Sequence, residues 1–158
     1  MDQRYVELSI NGDSYRIAVG PNEFLADVLR SKLELTGTKT ACDMGVCGSC
    51  TVLLDGLPVS SCLTLAVDAA GKEITTIEGL ENTAGELDPI QASFLDKGAV
   101  QCGFCTAGMV MTAKSFLDKN PDPTEPEIRR ALAGNICRCT GYAKIVEAVA
   151  DAAKKMQP

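Results

Sequence analysis

Eight cysteines and no histidine in 158 residues set the chemical problem of this chain. The thiols are not scattered. Cys42, Cys47, Cys50 and Cys62 form one group, and Cys102, Cys105, Cys137 and Cys139 form a second. Disulfide frameworks belong to small secreted domains, and the opening MDQRYVELSI has neither the basic start nor the apolar run of an export signal. Thiolate ligation of metal is the better reading. The missing imidazole excludes Cys/His zinc fingers, Rieske-type centres and a histidine general base.

The first group reads C-x4-C-x2-C, with the fourth cysteine after an eleven-residue gap. That is the spacing of a plant-type ferredoxin loop, in which a tight turn faces three thiolates inward while its amides point at cluster sulfur. Gly45 and Gly48 supply the backbone freedom such a loop requires. A four-cysteine zinc site is the alternative, but zinc sites prefer two short C-x2-C knuckles, so the spacing favours a 2Fe–2S cluster. The second group, Cys102-x2-Cys105 with Cys137-x-Cys139, is less decided by spacing. Zinc and a second iron–sulfur cluster fit about equally. A redox pair at CGFC would leave NICRC unexplained. Cys102 and Cys105 are expected at a helix start, one turn apart, where the helix dipole lowers a thiol's pKa.

Two regions of different periodicity must position these groups. Val6, Leu8 and Ile10 alternate, Asn11-Gly12 is a type I′ hairpin signal, and Tyr15, Ile17 and Val19 alternate again. Phe24, Leu25, Val28, Leu29 and Leu33 then form a helical stripe, with Asn22 as expected N-cap. After the irregular TGTKTACDMGVCGSC, TVLLD turns at Asp55-Gly56 toward Cys62, and EITTIEGL reads as a last strand. From residue 81 the pattern is helical: 89–97, 103–118, a helix opened by the Thr124/Glu127 capping box and stopped at Gly134-Asn135, and 142–156. The expected organisation is α+β, with a domain over 1–80, a linker near 81–88 and an all-α four-helix bundle over 81–158.

Charge and hydropathy narrow the functions further. A net charge of −6 leaves no basic patch for nucleic acid, and Arg129-Arg130 and Lys154-Lys155 read as solvated helix faces. No apolar run reaches the roughly 18–20 residues of a membrane span. A cytoplasmic protein is the expectation.

Taken together, TACDMGVCGSCTV, QCGFCTAGM and GNICRCTGY resemble the small iron–sulfur subunit of the molybdenum hydroxylases, the xanthine oxidase family, over essentially the whole chain. The resemblance implies a β-grasp plant-type ferredoxin domain followed by a helical domain, and a second 2Fe–2S cluster on Cys102, Cys105, Cys137 and Cys139. It implies a large partner subunit with molybdopterin, as the cytosine dinucleotide, and a medium subunit with FAD. Electrons would pass through the helical-domain cluster, then the ferredoxin-domain cluster. Gln101 would hydrogen-bond the pterin cofactor, and Cys139 would be the ligand nearest it. No residue of this chain would convert substrate. Ala41 replaces the glycine common before the first cysteine, and Ala107 replaces the proline of CGFCTPGM, but neither change removes a ligand. A free two-cluster ferredoxin shuttle and a zinc-stapled module are the competing functions.

Overall fold

A computed structural model describes residues 3–81 and 84–157. Alternating apolar residues build β1 (Arg4–Ile10) and β2 (Asp13–Val19), paired antiparallel from Arg4↔Val19 to Ile10↔Asp13. The two residues between them, Asn11 at φ 55° and Gly12 at φ 87°, take the left-handed values a type I′ turn demands. Asn11 does more than turn the chain. Its side chain exchanges two hydrogen bonds with Thr76, donating from Nδ2 to Oγ1 (3.0 Å) and accepting the Thr76 amide on Oδ1 (2.9 Å).

β3 (Thr51–Leu54), β4 (Leu57–Ser60) and β5 (Glu73–Thr75) complete a mixed five-stranded sheet of order β2-β1-β5-β3-β4. Among the described residues only the β1–β5 pairing is parallel. The expected last strand is short, because Ile77–Leu80 turns into a 3₁₀ segment. A single α turn, α1 (Leu25–Asp27), running on as a π-helical stretch, Val28–Lys32, packs its apolar side against the sheet. Its N-cap is Phe24 instead of Asn22, because Phe24 is held in extended geometry by a bridge to Leu65. Leu8, Ile10, Val19, Leu25, Val28, Leu29, Val52 and Ile74 are buried together beneath it.

The remaining helices are α2 (Pro89–Asp96), α3 (Thr106–Leu117), α4 (Glu125–Ala131) and α5 (Ala143–Met156). Ile90, Phe94, Met109, Leu117, Ile128, Ile145 and Val149 form their common core. The capping box at α4 is present, with Glu127 Oε2 accepting from the Thr124 amide (2.8 Å) and hydroxyl (2.6 Å). The stop at Gly134 differs from expectation. Leu132–Gly134 continues as a 3₁₀ turn, and Gly134 is not left-handed. The protein is α+β. Helix α3 packs on α2 and α4 and also on β3 and β4, which joins the sheet to the helical region. Among the described residues no helix is long and apolar enough to cross a membrane.

Candidate metal centres

Cys42, Cys47 and Cys50 lie on the loop between the π-helical stretch and β3, and Cys62 follows β4. Gly45 at φ 71° and Gly48 at φ 70° make the bends that curl this loop on itself. The amides of Met44, Cys47 and Val46 converge on Cys42 Sγ, that of Cys47 at 3.4 Å, and they push its thiol down to about 6. Such a fan of donors suits a sulfur that carries charge. Cys50 and Cys62 are buried side by side, fixed by Ser61, whose hydroxyl donates to Cys50 O at 2.7 Å. Burial, followed by the neighbouring Cys50 thiol, pushes Cys62 up to about 11.

The second group gathers from two turns. Between Cys102 and Cys105 lie Gly103 and Phe104, and the φ of +81° at Gly103 reverses the chain before α3 begins at Thr106. They therefore sit ahead of the helix and not on its face, with Cys105 as its N-cap residue. The expected lowering by the helix dipole fails at Cys105. Burial dominates and, with the Cys137 thiol against it, raises it to about 12. Cys137 and Cys139 lie between the 3₁₀ turn and α5, and Cys139 Sγ is 3.6 Å from Cys102 Sγ. Burial raises Cys137, but the hydroxyl and amide of Thr140 outweigh it and the net direction is downward. Cys139 is raised, chiefly by Cys102.

The thiols thus meet in pairs: Cys42 with Cys47, Cys50 with Cys62, Cys102 with Cys139, and Cys105 with Cys137. A tetrahedral metal with M–S bonds of about 2.3 Å places neighbouring sulfurs about 3.75 Å apart, close to the Cys102–Cys139 separation. Among the described residues no three cysteine or acidic side chains converge tightly enough for one metal ion. Two facing pairs without a common centre suit a two-metal core, with one pair on each metal. The all-sulfur donor set suits iron–sulfur chemistry.

The two groups are also clasped together, which no motif announced. The Ile136 amide donates to Cys47 O at 2.9 Å, and buried Asn135 donates from Nδ2 to Gly48 O at 3.0 Å. Gly48 O accepts the Thr51 hydroxyl as well, at 2.7 Å. Gly108 of α3 presses on the same carbonyl, so a Cβ there would lie 2.1 Å from it. The sequence carries no signal for this clasp, since Gly134-Asn135 reads there as a helix stop. Gln101 is exposed in the bend before Cys102, and exposed Arg138 lines a cleft with Phe104, Ile136 and Cys139.

Residues 8–76 match the family model of a 2Fe–2S iron–sulfur cluster binding domain, and residues 76–150 match that of a [2Fe-2S] binding domain. The chain is 50% identical to the nicotine 6-hydroxylase small subunit of Paenarthrobacter nicotinovorans over 151 residues, covering 96% of this chain and 90% of that one. It is 48% identical to the nicotinate dehydrogenase small FeS subunit of Eubacterium barkeri, covering 94% of each. Its fold matches a chain of quinoline 2-oxidoreductase from Pseudomonas putida 86 with TM-score 0.91, 48% identity and 99% coverage of both. Against the Desulfovibrio gigas aldehyde oxidoreductase, with TM-score 0.89 and 41% identity, all of this chain matches 18% of a longer one.

Proposed function

On the premise that this chain belongs to the small iron–sulfur subunits of the molybdenum hydroxylase family, we propose that its eight cysteines hold two 2Fe–2S clusters. It is the electron-transfer component of an oxidoreductase complex, with no substrate-converting site of its own. Cys42, Cys47, Cys50 and Cys62 hold the first cluster, in a β-grasp domain over 1–80. Cys102, Cys105, Cys137 and Cys139 hold the second, in a four-helix bundle over 81–158. The observation that carries this reading is the pairing of the thiols, above all the 3.6 Å approach of Cys102 to Cys139 with Cys105 against Cys137 behind it.

When bound, each cluster supplies a one-electron carrier near an all-thiolate potential. The chain's own residues do the rest. The amides around Cys42 compensate ligand charge, burial of Cys50, Cys62 and Cys137 excludes water, and the Asn135 clasp fixes one site against the other. In the assembled complex the subunit relays electrons between molybdopterin, as the cytosine dinucleotide, on a large subunit and either FAD on a medium one or an external acceptor. Exposed Gln101 and Cys139 face the pterin cofactor in this reading, and the complex is cytoplasmic. The exposure of Cys102 and Cys139 supports a partner at that face, where a free shuttle would leave ligands open to water.

Anaerobic purification with iron and zinc analysis and low-temperature EPR after dithionite reduction tests the assignment. About four irons per chain and two distinct S = 1/2 signals are expected. About two zincs per chain without a signal would overturn it.

A further inference from the structure

CRCTGY, residues 137–142, closes on itself around Cys137. Gly141 and Tyr142 are both left-handed, at φ 65° and 69°. For tyrosine this conformation is strained, and it persists only where the surroundings hold it. Two hydrogen bonds do so. The Cys137 amide donates to the Tyr142 phenol oxygen at 2.9 Å, and the Tyr142 amide donates to Thr140 Oγ1 at 3.2 Å. The second bond decides the polarity of the threonine hydroxyl. Its oxygen accepts from Tyr142, so its single proton is free for Cys137 Sγ, 3.1 Å away. The Thr140 amide points at the same sulfur from 3.5 Å. Among the described residues, no other cysteine sulfur has a hydroxyl donor among its hydrogen bonds.

We propose that Thr140 is a tuning residue of the second site: its hydroxyl, oriented by the strained Tyr142 backbone, raises the reduction potential of the cluster held by Cys137. The inference rests on the cluster assignment above and deepens it. Reduction adds one electron from a one-electron donor, breaks no bond and moves no proton off Oγ1. It does increase the negative charge shared onto Cys137 Sγ. A donor fixed on that sulfur therefore favours the reduced state more than the oxidised one. The hydroxyl is held before the electron arrives, so no reorganisation is needed at that moment.

The test is an EPR-monitored redox titration of the purified chain with both clusters, comparing Thr140→Val and Thr140→Ala with Thr140→Ser. Cys105→Ala identifies which signal is the second site's. Loss of the hydroxyl should shift the oxidised-to-reduced ratio of that signal about tenfold at fixed poise, a fall of about 59 mV for a one-electron couple. The first site's midpoint should not move. Thr140→Ser should restore the parent value, which a packing role for the threonine methyl would not do. An unchanged midpoint in both Val and Ala variants, with both signals present, would overturn the tuning role and leave the cluster assignment standing. Absence of both signals in the parent would overturn the assignment itself.

Discussion

Replacing Gly108 with alanine should be among the most damaging small changes possible in this chain, although it adds one methyl to a helix. The new Cβ would lie 2.1 Å from Gly48 O and 3.1 Å from the carbonyl carbons of Gly48 and Ser49. All three neighbours are backbone, so no rotamer change relieves the clash. Gly48 O is further held by Asn135 Nδ2 and the Thr51 hydroxyl, and a retreat of more than about 1 Å to ordinary contact distance would break them. Overpacking typically costs about 1–3 kcal/mol, and a rigid neighbour puts this site at the upper end. Lost hydrogen bonds add about 1 kcal/mol. Alanine's better helix propensity returns about 1 kcal/mol. The net loss is about 3 kcal/mol, which for a domain of this size lowers Tm by about 6–12 °C. Anaerobic thermal unfolding at one scan rate, followed by circular dichroism, measures it. Gly134→Ala is the control, since nothing lies within 4 Å of a Cβ there and its φ is ordinary. If Gly108→Ala unfolds within 1 °C of the parent by that comparison, the close approach of α3 to the cysteine loop is not real.

Asn135→Leu keeps size and removes the donor to Gly48 O. With Thr51 still bonded there, the loss is about 1 kcal/mol, read as about fivefold faster hydrogen exchange at the Ile136 amide; an unchanged rate would mean that the clasp does not hold the two loops. Cys105→Ala should reduce iron from about four to about two per chain and abolish one EPR signal, whereas loss of both from a folded protein would contradict separate sites. Asp151 ties α5 to α2: Lys155, Lys97 and Ser93 hold its carboxyl well below the usual carboxylate range. A depressed carboxyl stabilises the fold above its unfolded value near about 3.9 and stops doing so as pH falls through the folded one. Asp151→Asn should therefore lower Tm at pH 7 and flatten its decline below about pH 4, measured by thermal unfolding across pH; an unaltered acid slope would remove the network from acid stability.

Much of this protein is local, and so was written in the sequence. Alternation and Asn11-Gly12 specified the first hairpin, because a two-residue turn with two positive φ values admits few residue pairs. Thr124 and Glu127 specified the start of α4, since a capping box closes within four residues. The spacings Cys42-x4-Cys47-x2-Cys50, Cys102-x2-Cys105 and Cys137-x-Cys139 likewise marked which thiols share a local segment, because residues of one loop lie a few positions apart. What tertiary structure alone decided comes from residues distant in sequence. Phe24 displaced Asn22 as a cap through its bridge to Leu65. Burial against Cys137 overrode the helix dipole at Cys105, so its thiol is raised instead of lowered. Asn135 and Gly108 read as a loop polar residue and a helix glycine until the fold brings both onto the carbonyl of Gly48. Spacing along a chain can say which sulfurs share a loop. Only the packed backbone says which two meet, what donates to them, and how one loop is held against the other.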